Sequence, residues 1–177
     1  MILELTDAQR AFQQQIARFA AEQRVIPGEK PFSYVLIDCP PSLNLLTLNA
    51  MTAAQAVLVP VQCEFFALEG ISQLKETIDQ IKATVNPDLE IQGVVLTMHD
   101  ARTAFSREVA SNVRAFFGAK VYETVIPRNV RVSEAPSFGK PVLLYDLHCA
   151  GSQAYVHLAG EVLRRERVLA SISQQAA

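Results

Sequence analysis

The sequence predicts an α/β fold, an open and mainly parallel sheet flanked by helices, with an extra helix at the N-terminus. Three observations point there. From Tyr34 onward, apolar runs without clean alternation recur along the chain, which is how strands covered on both faces of a parallel sheet are written. Stretches of helical periodicity separate these runs. The 177 residues are 50% hydrophobic and 19% charged, a balance that supports a real core and excludes disorder as the main state.

Taken in order, Thr6-Asp7-Ala8-Gln9 has the T-x-x-Q form of a capping box, and Phe12, Ile16 and Phe19 follow on one stripe, so a helix is expected from about Asp7 to Arg24. Pro27-Gly28-Glu29-Lys30-Pro31 breaks regular structure and marks a boundary. The chain therefore divides into an N-terminal helix and linker over residues 1–30 and the α/β part over 31–177. Strands are expected at Tyr34–Asp38, Ala56–Val61, Gly93–Met98 and Tyr122–Ile126. Between them, Leu45–Ala53 is apolar enough for a buried helix. Ile71, Leu74, Ile78 and Ile81 form a second helical stripe. Phe105, Val109, Val113 and Phe116 form a third, stopped by Gly118. A last helix is expected from about Gly151 to Val168, with Tyr155, Leu158 and Val162 inward and Arg164, Arg165 and Arg167 favourably placed at its C-terminal end.

Composition narrows the function classes. Sixteen Lys and Arg against eighteen Asp and Glu give a charge of −2, so no global basic field recruits nucleic acid and any such contact must be focal. Cys39, Cys63 and Cys149 are odd in number and far apart, which fits neither a disulfide framework nor paired metal ligands and suggests a reducing, cytoplasmic setting. The most apolar later stretch, Ala56 to Val61, is too short to span a bilayer, and no membrane partner is expected. His99, His148 and His157 are scattered and read as surface or packing residues.

In an open α/β sheet the ligand crevice lies beyond the carboxyl ends of the strands. The first such end is Tyr34-Val35-Leu36-Ile37-Asp38-Cys39-Pro40-Pro41-Ser42. An acid emerging there can hold Mg²⁺ beside a phosphate, because the cation offsets the cost of a half-buried carboxylate. Asp38 is therefore the leading functional residue, although the pattern alone also suits an Asp that caps the following turn.

Four segments in order resemble the ParA/Soj type of chromosome and plasmid partition ATPases, relatives of the MinD-like deviant P-loop proteins. They are Tyr34–Ser42, Pro60–Gly70, Leu96–Thr103 and Ile126–Ser137, within a likeness that runs from about Phe32 to Arg165. The resemblance implies a switch in which ATP and Mg²⁺ drive a sandwich homodimer that binds DNA non-specifically. A centromere-binding, ParB-like partner then stimulates hydrolysis, and the protein is cytoplasmic and nucleoid-associated. It gives Asp38 the role of Walker B acid, catalytic and metal-facing. It places Pro127, Arg128, Asn129, Val130, Glu134 and Pro136 around the adenine and beside the dimer interface. Arg102 and Arg131 match positions that grip the DNA backbone, where an exposed guanidinium can pair with a phosphate whatever the base sequence.

Two departures qualify that expectation. A phosphate-gripping loop needs glycines that turn backbone N–H groups toward the anion, then Lys and Ser/Thr. Of the seven glycines only Gly139 precedes a lysine, Lys140, and Pro141 follows. Neither the family's K-G-G-x-G-K-[ST] loop nor its second acidic motif occurs in this sequence, and residues 1–30 do not resemble a partition ATPase. In the family the loop's strand lies beside the Walker B strand, so exposed strand edges are expected here. Asp146-Leu147-His148-Cys149-Ala150-Gly151 also stands where relatives carry basic residues, which weakens a DNA patch at that corner. The chain reads as the C-terminal part of a P-loop NTPase domain that does not hydrolyse ATP alone. The alternatives are a non-catalytic module that binds DNA or a partner, and a decayed reading frame.

Overall fold

The computed structural model describes residues 34–40, 42, 44–64 and 67–175, together with Ala11, Gln14 and Arg18. Those three isolated residues have helical backbone; the rest of the helix expected over Asp7–Arg24, with its capping box and the Pro27–Pro31 breaker, lies outside the described residues. Among the described residues the elements run α1 (Leu45–Ala53), β1 (Ala56–Gln62), α2 (Ala67–Thr84), β2 (Glu90–His99), α3 (Ala104–Phe117), β3 (Val121–Pro127), α4 (Val130–Glu134), α5 (Val142–Tyr145) and α6 (Ala150–Gln175). Short 3₁₀ segments follow α3 and α4, at Gly118–Lys120 and Ala135–Phe138. The sheet has strand order β1-β2-β3, and β2 pairs with β3 in parallel, so the expected α/β class holds.

The chain forms two compact units, Met1–Val57 with Ile71–Gln92 and Leu58–Gly70 with Gly93–Ala177. In the first, α1 starts where the Asn44 side chain accepts from the N–H groups of Leu46 and Thr47, which satisfies donors that the helix itself leaves open. Met51, Ile78, Ile81 and Leu89 are buried together, with Leu48, Ala54, Val57, Leu74, Val85 and Ile91 packed around them. This is the stripe that the spacing of Ile71, Leu74, Ile78 and Ile81 predicts. Burying each such side chain contributes roughly 1.5–3 kcal/mol. The Asn86 amide donates to the carbonyls of Met51 and Ala54, at 2.9 and 2.8 Å, and thereby covers acceptors at the open end of α1.

In the second unit, Val94, Val95 and Leu96 of β2 are buried to 3% exposure or less, as a strand with a neighbour on each side should be. Val95, Tyr122, Ile126 and Leu158 form its core cluster, with Ala154 and Val162 against it. Gly93 has a steric reason to be glycine, since a Cβ there would collide with the Tyr122 ring. Gly118 ends α3 at φ 54, a left-handed conformation that glycine adopts at little cost. The third stripe is buried only at Val109 and Val113, whereas Phe105 and Phe116 are exposed.

Three expectations need correction. Tyr34–Asp38 carries no strand, and Val35, Leu36 and Ile37 are exposed, Leu36 at 92%. A parallel strand is held by ladders to its neighbours. Among the described residues the sheet consists of β1, β2 and β3, and Tyr34–Asp38 is not one of its strands. Tyr155 is exposed, and Ala154 takes its expected place against Leu158. Finally, α6 continues to Gln175, so Arg164, Arg165 and Arg167 sit within the helix and not at its end.

Arg165 does different work. It donates to the carbonyls of Ala119, Lys120 and Val121 and to Glu161, and lies 4.3 Å from the centre of the Tyr122 ring. Glu161 is buried and accepts from the N–H groups of Glu123 and Thr124, each at 2.9 Å. Burial would push its carboxyl up, but those N–H groups and the Arg165 charge hold it below the ordinary glutamate value. Together the two side chains fasten α6 to β3.

Candidate functional site

The carboxyl ends of β1, β2 and β3 carry most of the residues singled out by sequence. Beyond β1, the Cys63 N–H donates to the Thr97 carbonyl at 3.0 Å. Beyond β3, the Arg128 N–H donates to the His99 carbonyl at 3.0 Å. The Arg128 guanidinium reaches Glu64 at 2.6 Å, with both side chains about half exposed. These backbone bonds place Glu64, Asp100 and Arg128 at one end of the sheet, where ligands of α/β folds bind.

The end of β2 is irregular. Leu96 pairs with Val125 and His99 with Pro127, so Thr97 and Met98 together face the single residue Ile126. Met98 has φ 54, and among the described residues no other non-glycine has positive φ. Bulges of this kind re-aim the residues that follow. Here those residues are His99-Asp100-Ala101-Arg102-Thr103.

Asp100 is tied to that turn at both its backbone and its side chain. Its N–H donates to Ser106 Oγ, and its carbonyl accepts from the Thr103 N–H and hydroxyl. Its Oδ1 accepts from the Arg102 backbone N–H at 3.0 Å and from Arg102 Nε at 2.9 Å, while Oδ2 accepts from Arg102 Nη2 at 2.8 Å. The Arg102 bonds hold the Asp100 carboxyl well below the usual carboxylate range. Thr103 then caps α3 by accepting from the Ser106 N–H. The Arg102 side chain remains 88% exposed.

The second predicted basic position is braced differently. Asn129 caps α4 by accepting from the Arg131 N–H. Arg131 Nη1 donates to Glu134 Oε2 at 2.9 Å, and Nε lies 3.6 Å from Asp146 Oδ2. The Tyr145 hydroxyl donates to the same Glu134 oxygen at 3.2 Å, and its ring stacks on Phe138. Asp146 in turn accepts from the N–H groups of His148 and Cys149 ahead of α6. Val130 is exposed, and Pro136 lines a groove with Val132, Ala135, Lys140, Pro141 and Tyr155. The segment from Pro127 to Pro136 is thus braced by side-chain hydrogen bonds and ion pairs at Arg128, Asn129, Arg131 and Glu134.

Asp38 belongs to the first unit, and the other predicted residues belong to the second. Its side chain is exposed at the end of the segment that forms no strand. Magnesium bound with a nucleotide uses one or two carboxylates plus phosphate oxygens, and Asp38 could supply one. Among the described residues no group of three or more His, Cys, Asp or Glu side chains could hold a metal. No glycine-rich phosphate loop occurs in the sequence.

Cys39, Cys63 and Cys149 are free thiols. Burial pushes the Cys63 thiol up, against the opposing effects of Ser106 and Arg114, which fits an unreactive packing cysteine. No helix among the described residues is long and apolar enough to cross a membrane. Sequence reasoning missed the roles of Glu64, Asp100, Glu161 and Tyr145. The one available signal was Asp100, since Asp two residues before a loop N–H is the pattern of an Asx turn.

Comparison with known proteins bears on all of this. A family model described as an AAA domain matches residues 2–91, a span that includes the N-terminal segment. Chromosome partitioning protein ParA of Caulobacter vibrioides (strain NA1000 / CB15N) is 70% identical over 142 residues, which is 80% of this chain and 53% of that protein. Sporulation initiation inhibitor protein Soj of Bacillus subtilis (strain 168) is 49% identical over 161 residues, 90% of this chain and 64% of that one. Among solved structures, cobyrinic acid a,c-diamide synthase from Mycobacterium smegmatis with bound ADP and magnesium aligns with a TM-score of 0.68 at 32% identity, covering 94% of this chain and 57% of that one. The chain thus spans between half and two thirds of the length of these proteins. It belongs to the AAA-domain family and is of the ParA/Soj type that its four motifs indicate.

Proposed function

We propose that this chain carries the DNA-gripping surface of a ParA-type partition switch, with Arg102 and Arg131 pairing with backbone phosphates irrespective of base sequence. The observation that carries the reading is Arg102, a guanidinium on the loop beyond β2 that stays 88% exposed while its own loop holds it in place. Such a group suits a phosphate, which arginine binds through paired N–H bonds. The Caulobacter relative's name, chromosome partitioning protein ParA, supports a role in DNA segregation. In the complete switch, Asp38 is the Mg²⁺-facing acid and the Pro127–Pro136 surface, through Arg128, Asn129, Val130 and Glu134, borders the adenine of ATP. A sandwich homodimer and a centromere-binding, ParB-like protein are the expected partners, and the nucleoid is the expected location.

Without a phosphate loop among these residues, the chain does not turn over ATP alone, because nothing holds the phosphates against Asp38. The test has two arms. Retardation of a linear duplex should be the same with and without Mg-ATP, and should weaken on Arg131→Ala or Arg102→Ala; no retardation in either condition contradicts the reading. Mg-ATPase turnover should match that of Asp38→Ala, and a clear difference between them contradicts the claim of inactivity.

A further inference from the structure

Arg102 is more exposed than Arg128, Arg131 or Arg165, yet it is held at both ends. A long side chain in water samples many rotamers, and ordering it on contact costs binding free energy. Here Asp100 takes the Nε and Nη2 side of the guanidinium in a two-bond fork, at 2.9 and 2.8 Å. That leaves the Nη1 edge directed away from the carboxylate. Asp100 is in turn anchored, since Ser106, 3% exposed, receives its N–H and Thr103 donates twice to its carbonyl. The fork is therefore fixed to the start of α3, and the bulge at Met98 sets the path of the chain into it.

We propose that Asp100 is the positioning residue for Arg102, fixing the guanidinium so that its outer N–H edge meets a DNA phosphate already ordered. The proposal rests on the DNA-gripping reading of Arg102. Its opposite is a carboxylate that merely neutralises the arginine, and the two predict opposite signs. A neutralising carboxylate would give tighter DNA binding when removed. A positioning carboxylate gives weaker binding when removed, although a negative charge has left the surface.

The experiment measures affinity of the full chain for a linear duplex of arbitrary sequence at about 0.1 M salt, where screening still permits phosphate contacts to be read. Asp100→Ala should weaken binding about threefold. Asp100→Asn retains an oxygen that accepts from Arg102 and should recover most of the loss, which general damage to the loop would not permit. In an Arg102→Ala background, Asp100→Ala should have no further effect. Binding of Asp100→Ala equal to or tighter than wild type overturns the proposal, as does an equal loss in the Arg102→Ala background. Should Arg102→Ala bind as well as wild type, the DNA-gripping reading of Arg102 fails and the proposal with it. Should Arg102→Ala weaken binding while Asp100→Ala does not, only the positioning role fails.

Discussion

Tyr34-Val35-Leu36-Ile37-Asp38 and Val94-Val95-Leu96-Thr97-Met98 are nearly interchangeable as sequences, each an apolar run that ends where a sheet should open onto a ligand. Their structures differ. The second lies in β2, with Leu96 fully buried and strands on either side. The first forms no strand, and Leu36 is 92% exposed. An apolar run states what a segment would do if flanked, and the ladder partners decide whether it does so. That is why the Arg102 corner, built on β2, has a defined geometry, while Asp38 presents a carboxylate without a frame.

Truncating a leucine to alanine in each run separates the two cases. Leu96→Ala removes a fully buried side chain and should lower unfolding free energy by about 3 kcal/mol in urea titrations. Glu161→Gln, in the fastening of α6 to β3, should cost about 2 kcal/mol at neutral pH by weakening the acceptor of the Glu123 and Thr124 N–H groups. Its sign with pH is fixed by a folded-state value below the ordinary glutamate value of 4.5. The stabilisation is fully present above that ordinary value and lost as pH falls through the lower folded value. The gap between wild type and Glu161→Gln should therefore narrow in titrations below about pH 4. Leu36→Ala should change stability by no more than about 0.5 kcal/mol; a loss as large as that of Leu96→Ala would show that Tyr34–Asp38 packs as a strand after all.

Much of the architecture was legible because local chemistry announced it. Gly118 marks the end of α3, Ile78 and Ile81 mark the buried face of α2, and the runs at Ala56, Gly93 and Tyr122 mark β1, β2 and β3 to within a few residues. What escaped depends on distant partners. The arginines at 164, 165 and 167 look like a helix end in sequence, but Arg165 finds its acceptors more than forty residues earlier, at Ala119 to Val121. Arg102 and Arg131 were visible as basic loop residues, and their carboxylate braces were not. Asp100 and Glu134 stand within family-like segments, but their pairing with Arg102 and Arg131, and that of Asp146 with Arg131, is set by the turns beyond β2 and β3.

Contact between Arg102 and DNA phosphate is read out by the salt dependence of binding. Each neutralised phosphate contributes close to one unit to the slope of log affinity against log salt. Arg102→Ala should flatten that slope by about one and weaken binding about five- to tenfold at about 0.1 M salt. A slope identical to wild type would mean that no phosphate contact had been lost and that Arg102 does not meet the DNA backbone.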